Sequence, residues 1–316
     1  MKRSTSIRIE SWASIVPFRI SDHVFDDFPC VVYGIEQDGL VGRGEAHGVY
    51  YHDETPESMG QQLESIETEI LAGADEQQLL ELLPAGGARC AVDAALWDVR
   101  AQTSGESAWK LAGIAENSVE TVFTIGLEDT PEQMAAKATA AADITLFKIK
   151  LDNDRPVERI TAIRNARPDS RLIIDANQGW NFSELQEFAP QLHDLGVLMI
   201  EQPLPLGRDQ ELVNYKSPAP LCADEACLDL SDLDAIAPLY QMINIKLARA
   251  ARERGLGLMV GCMGGTSLSM APSHVIAQLC DFVDIDGPLL IKKDREGGLI
   301  YDCGKVSLPR SPFWGV

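Results

Sequence analysis

Hydrophobic and polar positions change rhythm about a third of the way along the chain. From Ile7 to Ile35 the pattern is β-rich, and Cys30-Val31-Val32-Tyr33-Gly34-Ile35 runs into a turn at Asp38-Gly39 and on to Val41-Gly42. Glu57 to Leu83 then reads as one helical stretch. Ala88 to Gln102 reads as another, with Val92, Leu96 and Val99 on a single stripe. These elements predict an α+β domain over residues 1–115.

Beyond Val119, short apolar runs alternate with helical patterns. Strands are predicted at Val119–Ile125, Leu146–Lys150, Arg171–Asp175, Val197–Glu201, Leu221–Ala223, Met242–Lys246, Leu256–Val260 and Phe282–Asp284. Thr130-Pro131-Glu132-Gln133 opens a helix with capping-box spacing and proline at its first position. Leu185, Phe188, Ala189 and Leu192 mark another. Eight strands with helices between them predict a (β/α)₈ barrel over residues 116–290 rather than an open sheet. An open doubly wound sheet would want a Gly-rich turn after its first strand, and Gly126-Leu127-Glu128-Asp129 is not one. Residues 291–316 form a C-terminal segment.

One unit is too short. Only eight residues separate Leu247 from the seventh strand, whereas a βαβ crossover needs about 10–12. The shortfall predicts either a break in the chain between Leu247 and Ala248 or a natural deletion that leaves the sixth unit without a proper helix.

Ionisable residues fall at the strand ends. Lys148 and Lys150 close the second strand, Asp175 the third, Glu201 the fourth, Asp224 the fifth and Lys246 the sixth, spaced roughly 22–26 residues apart, about one βα unit each. Strand C-termini form the active-site face of such a barrel, so these residues build a ring around one mouth. Three carboxylates in one ring repel unless a cation joins them. Oxygen-only donors favour a hard ion, and Mg²⁺ suits a few carboxylates plus substrate and water. Asp175, Glu201 and Asp224 are the expected ligands, with Asn177 and Glu225 supporting them.

Lys148 and Lys150 are two apart on a strand and share a face. A like charge beside Lys150 should push its pKa down toward a value useful to a general base. Lys246 lies four strands away. Two bases flanking one metal-held carboxylate can take an α-proton from one face and return it to the other, which inverts a stereocentre. The metal would neutralise the charge that develops as the proton leaves.

Composition narrows the partners. The 316 residues carry a formal net charge of −21, are 45% hydrophobic and 24% charged. So acidic a chain argues against nucleic acid or an anionic membrane as partner, and no apolar run approaches the roughly 18 residues of a membrane span. Met1 to Arg19 lacks the continuous apolar core of a signal peptide. The 7 cysteines are scattered and never form a Cys-x-x-Cys pair, which reads as reduced thiols in a cytoplasmic protein.

Phe147-Lys148-Ile149-Lys150, Ile174-Asp175-Ala176-Asn177-Gln178-Gly179-Trp180, Ile200-Glu201-Gln202-Pro203-Leu204, Ala223-Asp224-Glu225 and Asn244-Ile245-Lys246-Leu247 together resemble the muconate-lactonizing subgroup of the enolase superfamily. That superfamily is known for Lys or His bases working with Mg²⁺. The resemblance implies a capping domain, a catalytic barrel, and a tail returning to the cap. Within the subgroup, Gly261-Cys262-Met263 and Asp284-Ile285-Asp286-Gly287-Pro288 resemble dipeptide epimerases, where an Asp-x-Asp holds the substrate's α-ammonium. Asp284 and Asp286 are the implied ammonium ligands, with Cys262 and Met263 beside the substrate. Arg19 and His23, in the cap loop that closes over the barrel, would read a distal side chain. Such epimerases usually follow Gly-Cys-Met with Glu-Ser, whereas Gly264-Gly265-Thr266-Ser267 follows here. The expected activity is therefore epimerisation of a dipeptide by a homo-oligomeric enzyme, with N-acylamino-acid racemisation next, then cycloisomerase or o-succinylbenzoate synthase chemistry. An acid-sugar dehydratase would want a His at the seventh strand end, but His274 sits mid-helix by periodicity. A binding protein on an inactive barrel is disfavoured by the complete ring.

Overall fold

The structure is a computed structural model that describes residues 2–21, 23–49, 52–244, 248–309 and 312–315. Its first part is an antiparallel sheet of β1 (Arg3–Arg19), β2 (Val24–Gln37) and β3 (Leu40–His47). The long helix Gly87–Ser104 lies across it. Gly42 and Gly44 make that packing possible: a Cβ at either position would stand 2.2 and 2.0 Å from the carbonyl oxygens of Ala95 and Ala91. The stretch Glu57–Leu83, expected as one helix, is three: Pro56–Ser65, Glu67–Ala72 and Glu76–Leu82. Gly73 in the left-handed region (φ 106) ends the second, and Asp75 caps the third by accepting from Gln78 N at 2.9 Å.

The expected strand Val119–Ile125 is divided as well. Its start, β4 (Val119–Glu120), pairs with a C-terminal hairpin, and its end, β5 (Phe123–Ile125), enters the barrel. The chain changes partner at Thr121, whose N–H donates to Gly304 O, while the N–H of Val122 donates to Val283 O. The parallel sheet continues through β6 (Leu146–Lys150), β7 (Arg171–Asp175), β8 (Val197–Glu201), β9 (Leu221–Ala223), β10 (Met242–Asn244), β11 (Gly257–Val260) and β12 (Phe282–Val283). Eight strands lie in sequence order, and the 2.8 Å bond from Val122 N to Val283 O brings the first edge onto the last. The hairpin is β13 (Ile300–Asp302) with β14 (Lys305–Ser307).

Strand parity sorts the barrel's side chains. Outward residues such as Phe147, Ile149, Leu172, Ile174, Ala223 and Ile243 are buried under the helices. Inward residues form layers. Val122, Leu146, Ile173, Met199, Cys222, Met242 and Met259 plug the floor. One step of two residues higher on the same strands stand Thr124, Lys148, Asp175, Glu201, Asp224 and Asn244. The period of a strand thus places an apolar floor directly beneath a polar ring.

The C-terminal segment leaves the barrel and packs on the N-terminal sheet. Trp314 Nε1 donates to Arg43 O and Ala94 O, at 3.0 and 3.1 Å. Arg295 holds the two parts together: its Nε donates to Glu45 Oε2 at 2.8 Å, and Glu45 also accepts from Thr266 N and Oγ1 at 3.0 and 2.6 Å. The sixth unit is short, with one helix at Ala248–Glu253. The junction of Leu247 with Ala248, where a break was anticipated, lies outside the described residues. Among the described residues no helix is long and apolar enough to cross a membrane.

Candidate active site

A cleft opens at the strand C-termini, beneath the tip of the N-terminal hairpin. Its floor and sides include Lys148, Lys150, Asp175, Asn177, Asp224 and Glu225. Cys262, Met263, Asp284 and Asp286 line the opposite side. Glu201 stands behind this surface, fully buried. Lys246 lies outside the described residues.

Lys148 is the hub. Its Nζ is 2.8 Å from Asp284 Oδ2, 2.8 Å from Glu201 Oε2 and 3.0 Å from Asp175 Oδ2. Burial alone would push this ammonium down, but Asp284, Glu201 and Asp175 outweigh burial and hold it well above the ordinary lysine value. Lys148 is therefore compensated by three carboxylates, not an isolated positive neighbour of Lys150 as the strand spacing alone suggested. Lys150 Nζ donates to Asp175 Oδ2 at 2.6 Å. Burial would raise the Asp175 carboxyl, yet Lys150 and Lys148 keep it well below the usual carboxylate range.

The remaining acids behave differently. Burial pushes Glu201 up, and Asp175 and Asp224 add to the rise against the pull of Lys148. Burial, then Asp224 and Asp175, push Glu225 up. These acids resist sharing the space as anions, which is the condition a cation relieves. The donor set fits one. Asn177 Oδ1, Glu201 Oε2 and Glu225 Oε2 are buried and accept no hydrogen bond from the described residues; Glu201 Oε2 meets Lys148 Nζ at short range but without hydrogen-bond alignment. Buried carboxylate and amide oxygens in this state match a hard divalent ion.

Neighbours fix these groups. Asn244 Nδ2 donates to Glu201 Oε1 at 2.8 Å while its Oδ1 accepts from Gly261 N at 2.7 Å. Gln202, buried and in a left-handed conformation (φ 28), turns Oε1 to accept from Asp224 N and Ala226 N at 3.0 and 3.2 Å. It thereby sets where Asp224 leaves its strand. Asn177 N donates to Asp175 Oδ1 at 2.9 Å. Neither Asn244 nor Gln202 was singled out by the strand-end charge pattern, because both are neutral, although each lies in a motif quoted from the sequence.

Across the mouth, Asp286 Oδ2 accepts from Thr124 N at 2.6 Å, and burial followed by Asp284 pushes its carboxyl up. Cys262 Sγ lies 3.9 Å from Asp284 Oδ1. The two cap residues fall elsewhere. Arg19 does not line the cleft: its Nη1 pairs with Asp129 Oδ1 at 3.0 Å on the rim. His23 is exposed, its ring 4.3 Å from that of Phe25, which does line the cleft. The hairpin instead presents Phe18, Ile20, Phe25 and Phe28. Hydrophobic spacing marks Ile7 to Ile35 as β-rich but carries no sign that these four residues reach the barrel mouth. His274 is buried within the helix Ser267–Ala277 and its Nδ1 accepts from Trp109 Nε1 at 3.2 Å, so it is a core residue with no place at the mouth.

The chain matches two family models: the N-terminal domain of mandelate racemase and muconate lactonizing enzyme over residues 2–113, and the enolase C-terminal domain-like family over residues 132–316. It is 37% identical to the L-Ala-D/L-Glu epimerase of Escherichia coli K12, over 97% of this chain and 100% of that one. It is 41% identical to an N-acetyl-D-glutamate racemase of a Pseudoalteromonas species, over 75% and 79% of the two chains. Among solved structures, an enolase family member from Agrobacterium tumefaciens with homology to dipeptide epimerases, bound to sodium and L-Ala-L-Glu, superposes with a TM-score of 0.95 at 35% identity, covering 99% of this chain and 100% of that one. A dipeptide epimerase from Methylococcus capsulatus, complexed with Mg and L-Arg-D-Lys, superposes with a TM-score of 0.89 at 27% identity, covering 100% and 99%.

Proposed function

The chain belongs to the mandelate racemase and muconate lactonizing enzyme family of the enolase superfamily, and on that premise we propose that it is an isomerase that removes and returns the α-proton of a dipeptide. The observation that carries this reading is the gathering of Lys148, Lys150, Asp175 and Asp224 at one barrel mouth, with Asp284 and Asp286 facing them.

Asp175, Glu201 and Asp224 would hold Mg²⁺, with Asn177 and Glu225 as supporting groups. When bound, the ion withdraws charge from the substrate carboxylate and makes the α-proton more acidic. Lys150, half-buried and 2.6 Å from Asp175, would act as the base that takes that proton. Lys246 would serve as the second base. Lys148 stays charged and holds the carboxylates of β7 and β8 in place. Asp284 and Asp286 meet the substrate's ammonium, beside Cys262 and Met263.

A second reading, racemisation of an N-acylamino acid, is favoured by a specific feature. Asp284 Oδ2 is already engaged by Lys148, and Asp286 is pushed toward its neutral form, so the pair is a weaker ammonium site than two free carboxylates. One experiment separates the two. The protein is incubated with Mg²⁺ in D₂O with L,L-dipeptides and with N-acylamino acids, and α-deuterium is read by mass spectrometry. Exchange confined to dipeptides supports the first reading. Exchange confined to acylated substrates replaces it with the second, and exchange in neither class removes both.

A further inference from the structure

Among the described residues, the cap-facing wall of the cleft is apolar: Phe18, Ile20, Phe25 and Phe28 from the hairpin, with Met263 and Leu290 from the barrel. Phe25 and Phe28 stack with centroids 5.6 Å apart and planes at 21°. The Phe28 ring is seated over Gly264, where an added Cβ would come within 2.2 Å of Cε1 and 2.4 Å of Cδ1. Gly264 is where the sequence departs from the Glu-Ser that usually follows Gly-Cys-Met. The departure therefore has a structural counterpart: the phenyl ring of the cap occupies the space a side chain at 264 would take.

Charge points the same way. Among the described residues lining the cleft, the only cations are Lys148 and Lys150, and both already face carboxylates. Arg19, the cap cation nearest in sequence, is drawn to Asp129 on the rim. With the substrate carboxylate at the ring of β7 to β9 and its ammonium at Asp284 and Asp286, the side chain on the reacting carbon must project out of the mouth, toward this wall. Among the described residues of this wall, a carboxylate placed there would lose its hydration and meet no cation.

We propose that Phe18, Ile20, Phe25 and Phe28 form the subsite for the side chain of the epimerised residue, and that it selects an uncharged apolar group, with Phe28 in the Gly264 slot setting its depth. This rests on the epimerase reading given above.

The test measures α-deuteration of L-Ala-L-Leu, L-Ala-L-Phe and L-Ala-L-Glu with Mg²⁺, for the wild type and for Phe28→Ala, Phe28→Leu and Gly264→Val. The wild type should favour L-Ala-L-Leu over L-Ala-L-Glu by at least about tenfold in kcat/KM, the scale on which apolar pockets discriminate. Phe28→Ala and Gly264→Val should raise KM for L-Ala-L-Leu with a smaller change in kcat, and Phe28→Leu, which keeps apolar bulk, should restore most of the loss. If exchange occurs but L-Ala-L-Glu is handled as well as L-Ala-L-Leu, or if the variants leave the preference unchanged, the proposal is overturned while the epimerase reading stands. If no substrate exchanges, both fall together.

Discussion

Lys148 and Asp284 join the second strand of the barrel to the segment after the eighth, Nζ to Oδ2, across 2.8 Å of buried space. The same ammonium faces Asp175 and Glu201, so one positive charge is shared among three acids of which none is more than marginally exposed. Replacing Lys148 with Met would leave those acids without their common partner. Breaking a buried pair from one side costs about 3–5 kcal/mol. The variant should unfold at a lower temperature than the wild type, and added Mg²⁺ should recover more of the loss in the variant, because the ion becomes the main cation available to the ring. Thermal unfolding followed by circular dichroism, with and without Mg²⁺, reads this directly. An unchanged midpoint would show that the three carboxylates do not depend on Lys148.

The proposed pair of bases makes separable demands. Lys150→Ala and Lys246→Ala should each abolish net epimerisation in both directions. Each should also retain α-deuterium exchange on the stereoisomer whose hydrogen faces the surviving lysine, so the two variants should show opposite preferences. Proton NMR in D₂O on the separate stereoisomers distinguishes them. Full turnover by either variant would exclude the two-base scheme.

The strands that carry the site were legible because two local patterns coincide in them. In Leu146–Lys150, Arg171–Asp175 and Val197–Glu201 an apolar run ends at a charged residue, in Leu221–Ala223 a charged residue follows directly, and the observed bounds match the expected ones. Non-local partners were not legible. Val119–Ile125 reads as one strand until the hairpin β13–β14 claims its first two residues. Arg19 reads as a free cation above the mouth until Asp129, remote in sequence, takes its guanidinium. Thr124 and Asn244 share the inward parity of the charged ring but carry no charge to reveal it. Phe28 meets Gly264 only because the cap folds onto the barrel, and no spacing in either segment encodes that meeting.

Asp286 offers a test of substrate class. It is buried, accepts from Thr124 N, and lies beside Asp284 at the mouth. Asp286→Asn keeps an acceptor for the Thr124 N–H but removes the capacity for negative charge. A dipeptide, which brings an ammonium, should show a higher KM as a charge-assisted contact of roughly 1.5–3 kcal/mol is weakened. An N-acylamino acid carries no ammonium and should be little affected. Steady-state kinetics on one substrate of each class decides the matter, and equal losses on both would assign Asp286 to the barrel's architecture instead.

Glu45 should make the joint between cap and barrel sensitive to acid. It is fully enclosed, and burial alone would raise its carboxyl, but His47, Arg295 and Thr266 outweigh burial and hold it at about 2, against an ordinary value of 4.5. A carboxyl whose folded pKa is depressed contributes stability that is fully present above its unfolded value and is lost as pH falls toward its folded value. The window here runs from about pH 4.5 down to about 2. A shift of this size corresponds to roughly 3 kcal/mol in the wild type. Glu45→Gln should be less stable than the wild type at neutral pH, because Arg295 would lose one of its two carboxylate partners and keep only Glu10. The difference between the two proteins should shrink as pH falls through that window. Urea unfolding at pH 7, 4 and 3 measures it. A difference that stays constant across the three values would mean that Glu45 does not carry the acid sensitivity of the joint.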